Sequence, residues 1–283
     1  MRQIAFTKMH GLGNDYIYVN TMEYPLENPA ELSVKWSDRH KGIGSDGLIL
    51  IGSSDKADFS MRIFNADGSE ALMCGNGSRC VGRYIHDKGL SDKEVISLET
   101  LSGIKVLRLD LDGNGDVRSV EVEMGKGMPL PVLKADGSLS EFILKDVYAC
   151  ERAFTGTAVD MGNPHLVLFV DNADTVQVAQ IGPILEKDRM FPHRANIEFA
   201  CILDCSHIRM RVWERGSGIT QACGTGACAT AVAAAMAGFT KPECCTVIMD
   251  GGELIVSWDP DTKEVRMRGD ADTVFEGTIE MEE

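Results

Sequence analysis

The chain has 283 residues, of which 44% are hydrophobic and 25% are charged, and its formal net charge at pH 7 is −15. These proportions are typical of a soluble globular protein and exclude disordered or collagen-like chains. So large a negative charge argues against a nucleic-acid partner, because binding to a phosphate backbone needs a basic surface. We find neither a secretory leader nor an apolar run of the ~20 residues that cross a membrane, so we expect a cytoplasmic protein with no membrane partner.

The nine cysteines are odd in number and irregularly spaced. This pattern differs from the disulfide framework of a small secreted domain, so we expect free thiols. None of the spacings gives the two close pairs of Cys or His that hold a structural zinc ion. The sequence therefore predicts no metal site.

The predicted elements follow one another in the same order in both halves of the chain. Each half has a strand after a Gly-Asn turn, a second strand, a glycine-rich turn that begins with cysteine, a helix that ends at a glycine, and a further strand. In the first half these elements are residues 16–19, 59–64, 74–77, 76–88 and 104–109. In the second half they are residues 165–170, 208–213, 223–226, 225–237 and 253–258.

A constant offset relates the two halves. Gly75 and Gly224 are separated by 224 − 75 = 149 positions, and we call this distance the repeat offset. The same offset joins Asn14 to Asn163, Met61 to Met210, Arg62 to Arg211, Cys74 to Cys223 and Gly89 to Gly238. An internal repeat predicts a duplicated structural unit. We therefore predict an α+β fold of two pseudo-symmetric lobes, each a mixed or antiparallel sheet wrapped around a central helix, with the active site in the cleft between them.

Each half carries one Cys-Gly-x-Gly segment at the start of its helix, and we call these segments elbows. The first is Cys74-Gly75-Asn76-Gly77 and the second is Cys223-Gly224-Thr225-Gly226. The positive end of a helix dipole stabilises an anion, so we expect the pKa of each thiol to fall from ~8.5 toward neutrality. The unpaired backbone N–H groups of the first turn can also bind a carboxylate.

Two such elbows suit the inversion of an α-carbon. If an amino acid were held by its carboxylate between them, one thiolate could remove the α-proton while the opposite thiol returned a proton to the other face. The helix N-termini would stabilise the charge that develops on the carboxylate. The duplication thus favours a cofactor-independent epimerase or racemase.

At these motifs the sequence resembles the diaminopimelate epimerase family, over essentially the whole chain. Six segments carry the resemblance, in the order of the family: Met9-His10-Gly11-Leu12-Gly13-Asn14-Asp15, Phe64-Asn65-Ala66-Asp67-Gly68-Ser69-Glu70, Cys74-Gly75-Asn76-Gly77, Met161-Gly162-Asn163-Pro164-His165, Trp213-Glu214-Arg215-Gly216 and Ala222-Cys223-Gly224-Thr225-Gly226. The resemblance implies the fold of that family. It also implies that the last strands return to the first lobe, which would then comprise residues 1–115 and about 265–283, with residues 116–264 as the second lobe.

The resemblance implies a role for each matching residue. Cys74 and Cys223 would be the two acid/base groups, and the reacting carboxylate would be held by Gly75, Asn76, Gly224 and Thr225. The other polar groups and the distal end of the substrate would be surrounded by Asn14, Asn65, Asn163, Asn196 and Arg215. Glu214 would bind an amino group, and His165 would support the catalytic site.

The implied reaction interconverts LL- and meso-diaminopimelate on the way to lysine and peptidoglycan. It needs no pyridoxal phosphate and no metal, and a homodimer is the expected assembly. One position departs from the family, which often has Gln where this chain has Gly47. Gly47 pairs with Asn196 at the repeat offset, so a side-chain contact to the substrate is absent or replaced there.

Three alternatives stay open at the level of sequence. The first is a racemase of another amino acid on the same scaffold; proline-racemase relatives usually have His at the position of Asn76, which argues against that branch. The second is a non-catalytic amino-acid-binding module, for which the two thiols would be dispensable. The third is a hydrolase or acyltransferase with one cysteine as nucleophile and His165 as base. The sequence does not decide which cysteine is the resting thiolate.

Overall fold

The first half of the chain forms strands where β-branched and aromatic residues alternate between glycine and asparagine turns. The computed structural model describes residues 2–281, so that residues 1, 282 and 283 of the predicted first lobe lie outside it. Its first elements are β1 (Arg2–Gly11), β2 (Asn14–Asn20), α1 (Pro29–Ser37), β3 (Gly47–Gly52), β4 (Phe59–Asn65), β5 (Glu70–Ala71), α2 (Gly75–Asp87), β6 (Val95–Thr100), β7 (Gly103–Leu111) and β8 (Val117–Lys126).

The second half contains the remaining elements. These are β9 (Met128–Pro129), β10 (Pro131–Leu133), β11 (Leu139–Glu141), β12 (Lys145–Ala149), β13 (Arg152–Asp160), β14 (Pro164–Phe169), a 3₁₀ turn (Ala173–Thr175), α3 (Val178–Glu186), β15 (Asn196–Ile202), β16 (His207–Glu214), β17 (Gly218–Thr220), α4 (Gly224–Met236), β18 (Cys245–Met249), β19 (Gly252–Trp258), β20 (Glu264–Gly269) and β21 (Asp272–Met281).

The chain divides into two units. The first unit is Met1–Val122 with Arg268–Glu283, and the second is Glu123–Met267. Both boundaries fall inside strands, β8 and β20, whereas the sequence analysis placed them at residues 115 and 264. The reason is that β8 pairs with β7 as far as Val122 opposite Leu107, so its first residues belong to the first unit.

In the first unit, β2 lies parallel to β3, and β3 lies antiparallel to β4. Helices cover both faces, with α1 packed on β3 and β4, and α2 packed on β1, β2 and β7. Leu48 and Leu50 belong to the core cluster of Trp36 on α1. Because side chains of a strand alternate between faces, Ile49 points to the opposite side, toward α2.

The second unit repeats this arrangement. Strand β14 lies parallel to β15, and β15 lies antiparallel to β16. Ile197 and Phe199 pack in one core cluster with Leu185 of α3. Alternation along β15 therefore turns Asn196 and Glu198 toward α4, which packs against β13, β14, β15 and β16.

The two elbow helices begin and end one residue earlier than the sequence predicted. Both are followed by glycines in the left-handed conformation, Gly89 at φ +63 and Gly238 at φ +74, which confirms the predicted C-terminal caps. Helix α4 is almost entirely buried, and its run of alanines lets the strands approach closely. The predicted fold class is confirmed in that each unit contains parallel and antiparallel strands packed around a central helix.

Helices α1 and α3 were not predicted from the sequence, although they also obey the repeat offset. Helix α3 contains Pro183, and proline inside a helix normally breaks it. Helix α1 begins at Pro29 and has few apolar residues with helical spacing. These two helices pack on the face of the strands opposite to the one that contacts the elbow helices.

Candidate active site

The first elbow places Cys74 at the N-cap of α2. Its backbone is extended, with φ −138 and ψ 116, and its sulfur accepts a hydrogen bond from the backbone N–H of Gly77 at 3.3 Å. Gly75 and Asn76 form the first helical turn and are buried. Their N–H groups have no partner within the helix, as in any first turn, and are available to an anion.

Asn14, at the start of β2, contacts the thiol of the first elbow. The thiol of Cys74 donates to Asn14 Oδ1 at 3.4 Å, and Asn14 Nδ2 donates to Asp46 Oδ2 at 2.9 Å. Asp46 fixes the amide with its oxygen toward the thiol. The hydroxyl of Tyr16 lies beside Asn14 and Cys74, and burial raises the pKa of Tyr16, so that it stays a neutral phenol.

An ion cluster anchors the loop that carries Asn14. Lys8 is buried and bonds the carboxylate of Asp15 and the carbonyl of Gly44, while Arg39 bridges Asp15 and Asp46 at 2.8 and 2.9 Å. Burial would raise the pKa of Asp15, but the hydrogen bonds and charges of Arg39 and Lys8 lower it on balance. The cluster holds Asp46 in place beneath Asn14.

Asn65 and Gly47 lie opposite each other on β4 and β3. Asn65 Nδ2 donates to Ser69 Oγ at 3.0 Å. A methyl group on Gly47 would lie 2.2 Å from the carbonyl oxygen of Phe64 and 2.8 Å from Tyr16 Cε1. No side chain fits at this position, so the contact that the family often makes with Gln is absent here.

The second elbow has the same backbone geometry. Cys223 is the N-cap of α4, with φ −123 and ψ 110, and its sulfur accepts from the N–H of Gly226 at 3.3 Å. Thr225 Oγ1 lies 3.6 Å from the sulfur. Gly224 and Thr225 are part-exposed in the first turn, where their N–H groups are available to an anion.

The two thiols differ in exposure, and the expectation that a helix end lowers the pKa is wrong for Cys223. Cys223 is only 5% exposed, while Cys74 is part-exposed. Burial raises the pKa of Cys223 well above its ordinary value, and the carboxylates of Glu214 and Glu198 raise it further. Hydrogen bonds from Thr225 and the N–H of Gly226 offset only part of this rise.

Asn196 and the segment after β16 form a second polar group in the same unit. The backbone N–H of Arg215 donates to Asn196 Oδ1 at 2.8 Å, and the Arg215 guanidinium donates to the carbonyl of His193 at 2.9 Å. Glu214 accepts a short hydrogen bond from Thr220. The structure thus holds Asn196 and Arg215 together and places Glu214 near enough to Cys223 to raise its pKa.

His165 is fully buried on β14 and bonded at both ring nitrogens. Its Nδ1 lies 2.7 Å from Glu198 Oε1, and its Nε2 lies 3.0 Å from Asn163 Oδ1. Neither nitrogen is left to take a proton from Cys223. This arrangement argues against the hydrolase alternative, which needs a histidine base.

Two charged residues near the elbows, Glu198 and Arg79, were not predicted from the sequence. Glu198 is 0% exposed, and its Oε2 has no hydrogen-bond partner among residues 2–281. Arg79 of α2 is also 0% exposed; its Nε donates to the carbonyl of Asp270 at 3.0 Å, while both terminal nitrogens lack partners within the described chain. The sequence signal for both was a charged residue in an element that is otherwise expected to be buried. Glu198 lies in a strand of apolar residues, and Arg79 lies in the helix that follows the first elbow.

No three side chains of His, Cys, Asp or Glu among residues 2–281 come together as a metal site. No helix in that range has the length and apolarity to span a bilayer. All nine cysteines are free thiols in the structure.

Comparison with known proteins places this geometry in a family. The family model described as diaminopimelate epimerase matches residues 6–128 and 157–274. The diaminopimelate epimerase of Parabacteroides distasonis is 57% identical over 280 residues, which cover 99% of each chain. That of Bacteroides thetaiotaomicron is 55% identical over 98% of each chain, and that of Methanococcus maripaludis is 49% identical over 98% of this chain and 100% of its own.

Solved structures share the fold at low sequence identity. A PhzF-family phenazine biosynthesis protein of Bacillus anthracis superposes with a TM-score of 0.73 at 19% identity, covering 99% of this chain and all of its own. A hydroxyproline epimerase of Agrobacterium vitis gives 0.63 at 14% identity, covering 99% and 91%. With the paired elbows, the repeat and relatives matched over nearly their whole length, the chain belongs to the diaminopimelate epimerase family.

Proposed function

We propose that this protein is an epimerase that interconverts LL- and meso-diaminopimelate by proton transfer between two cysteines. The observation that carries the proposal is the duplicated elbow, in which each cysteine caps a helix and accepts the N–H of the residue three positions later, at 3.3 Å in both cases. Membership of the family supplies the substrate. A mechanism that used only one of the two cysteines would not explain why the second elbow has the same geometry.

In the proposed mechanism the substrate carboxylate binds the first turns of the elbow helices. The N–H groups of Gly75 and Asn76, and of Gly224 and Thr225, are the donors that the helices leave unpaired. Negative charge moves toward the carboxylate as the α-proton leaves, so these donors bind the transition state more strongly than the substrate. No cofactor is needed to hold the developing charge.

The two thiols have opposite resting states in this mechanism. Burial, Glu214 and Glu198 hold the pKa of Cys223 high, so Cys223 is the thiol. The base that removes the first proton is then Cys74, whose sulfur is the more exposed and whose S–H proton, held by Asn14 Oδ1 in the structure, leaves to solvent first. The proton that Cys74 takes from one face of the α-carbon is balanced by the proton that Cys223 gives to the other face, and the reverse reaction exchanges the roles.

The remaining polar residues serve recognition in this proposal. Asn14, Asn65, Asn163, Asn196 and Arg215 bind the polar groups and the distal amino-acid end, Glu214 binds an amino group, and His165 supports the site. We further propose that the protein acts in the cytoplasm as a homodimer, and that its product serves lysine and peptidoglycan synthesis.

The test is incubation of the reduced protein with LL-diaminopimelate in deuterium oxide, followed by NMR. We expect deuterium at the α-carbon together with meso product. Cys74→Ser and Cys223→Ser should each lose about 10²–10⁴-fold in rate, since serine is too weak an acid and base. Cys205→Ser is the matched control, because Cys205 is an exposed thiol outside both elbows.

Gly47 favours one alternative, a racemase of another amino acid, since this chain lacks a side chain where the family often has one. A panel of amino acids in the same exchange assay separates the two activities. Exchange with another amino acid, and none with diaminopimelate, would establish the alternative. Binding without exchange, unaffected by either serine variant, would point to a binding module.

A further inference from the structure

A buried chain of three side chains ends at Asn163. Glu198 and His165 are both 0% exposed, and Glu198 Oε1 lies 2.7 Å from His165 Nδ1. On its other side the ring reaches Asn163 Oδ1 at 3.0 Å. Burying a carboxyl group costs free energy unless the group is paired and hydrogen-bonded. We therefore expect these three buried side chains to have a function.

The equivalent place in the first unit holds an isoleucine. Ile49 precedes Glu198 by the repeat offset, and Gly77 precedes Gly226 by the same distance. A methyl group on Gly77 would meet Ile49 Cδ1 at 2.6 Å, and a methyl group on Gly226 would meet Glu198 Oε1 at 2.9 Å. The fold therefore accepts an apolar side chain here, and the carboxyl of Glu198 is not required for packing.

Charge balance fixes the proton on His165. A buried histidine and glutamate with no net charge carry two protons, one between Oε1 and Nδ1 and the other on either Nε2 of the ring or Oε2 of the carboxyl. A proton on Oε2 would have no acceptor, because that atom has no partner among residues 2–281. With neither atom protonated, the pair would be a buried anion beside Glu214, whose charge raises the pKa of Glu198 on top of the effect of burial. The neutral pair makes Nε2 a donor, and the distance of 3.0 Å to Asn163 Oδ1 is that of a hydrogen bond.

We propose that Glu198 is a positioning residue that acts through His165 to turn the amide nitrogen of Asn163 outward, as a donor to a carboxylate of the substrate. The His165 Nε2–H holds the amide oxygen, so the NH₂ group of Asn163 faces the ligand. Asn14 is held in the opposite sense, because Asp46 binds its nitrogen and its oxygen faces Cys74. The paired asparagines of the repeat thus present different atoms. This inference rests on the proposed function for the identity of the ligand.

The first readout is the tautomer of His165 in the unsubstituted protein. Long-range ¹H–¹⁵N NMR of protein labelled at its six histidines distinguishes the ring nitrogens, with His165 assigned by its loss in His165→Leu. We expect Nε2 to carry a proton. An unprotonated Nε2 would overturn the proposal, and this result requires no variant at Glu198 to fold.

The second readout is a double-mutant cycle on KM. Glu198→Leu removes the partner of Nδ1 while filling the space, and we expect about a tenfold rise in KM, the size of one lost buried hydrogen bond. Glu198→Gln can still bond Nδ1 and should restore KM to near the original value. Because Glu198 acts through His165, the double variant Glu198→Leu/His165→Leu should be no worse than His165→Leu alone.

Glu186→Gln is the matched control, since Glu186 is also a buried carboxyl of the second unit but bonds Trp213 Nε1 at 2.7 Å. It should leave KM unchanged. Additive effects in the cycle, or a loss confined to the melting temperature, would overturn the positioning role. If the unsubstituted protein shows no α-proton exchange with any amino acid, the proposed function has failed, whereas the tautomer of His165 is still read directly.

Discussion

The two elbows have the same backbone and different surroundings. In both, a cysteine caps a helix and accepts a hydrogen bond from a glycine N–H at 3.3 Å. Around Cys74 the neighbouring strands supply a tyrosine, an isoleucine and an asparagine fixed by Asp46. Around Cys223 the equivalent positions supply a histidine, a buried glutamate and an asparagine fixed by that histidine.

The comparison shows that the two copies have kept the same backbone geometry, whereas the electrostatic environments of their cysteines have become different. The capping geometry depends on glycines and on backbone groups, which both copies retain. The electrostatic setting depends on side chains of the strands, which have diverged. A repeat that was symmetric in both respects would give two thiols of equal acidity, with nothing to favour one proton donor over the other.

The largest expected effect on stability is at position 47, where glycine stands and where the repeat has Asn196 in the other unit. Gly47→Ala places a methyl group 2.2 Å from a backbone carbonyl oxygen, so a strand must shift. We expect a loss of about 3 kcal/mol in the free energy of unfolding, the upper range for overpacking. Chemical denaturation measures this, with Gly113→Ala as control because nothing lies near that position. An unchanged unfolding midpoint would show that β3 and β4 are loosely packed.

An intermediate effect is expected on the acidity of Cys223. In Glu214→Gln a negative charge near Cys223 is removed, the thiolate is less disfavoured, and the pKa of Cys223 falls. The pH dependence of iodoacetamide labelling, with peptides resolved by mass spectrometry, gives this pKa. The labelling profile of Cys74 is the internal control. A shift to higher pH, or equal shifts at both cysteines, would contradict the electrostatic difference between the elbows.

The smallest effect is expected where the two copies agree. Gly89 and Gly238 end the elbow helices at positive φ, with no atom within 4 Å of an added methyl group. Alanine at either position should cost about 1 kcal/mol, the strain of a left-handed residue, and the two values should be alike. Thermal unfolding measures both. Clearly unequal values would show that the caps have diverged as the strands have.

The sequence predicted the features that depend on local chemistry. The repeat, the two elbows, their helices and the glycine caps follow from glycine spacing and the period of apolar residues. Helix α3 was not predicted because Pro183 lies inside it, and proline inside a helix normally breaks it. The unit boundaries were placed too early, since the hydrogen bonding of β8 with β7 continues to Val122 and depends on register rather than composition.

Of the candidate site, the sequence predicted residue types but not their electrostatic environment. A helix N-terminus suggested a lowered pKa for both thiols, yet burial and two carboxylates raise that of Cys223. Glu198 was passed over because alternation along β15 identifies its face only after the partner helix is known. The roles of the asparagines and of Glu214 and Arg215 stay predictions until binding is measured.

The pairing of β1 with β21 affects the order in which the chain can mature during synthesis. The first unit joins both ends of the chain, and the carbonyls of Asp270 and Ala271 accept hydrogen bonds from Arg79 and Arg83 of the helix that Cys74 caps. The second unit is one continuous segment, whereas the first unit combines residues from both sides of it. The elbow of Cys74, although made first, therefore receives contacts from residues that are made only after the whole second unit.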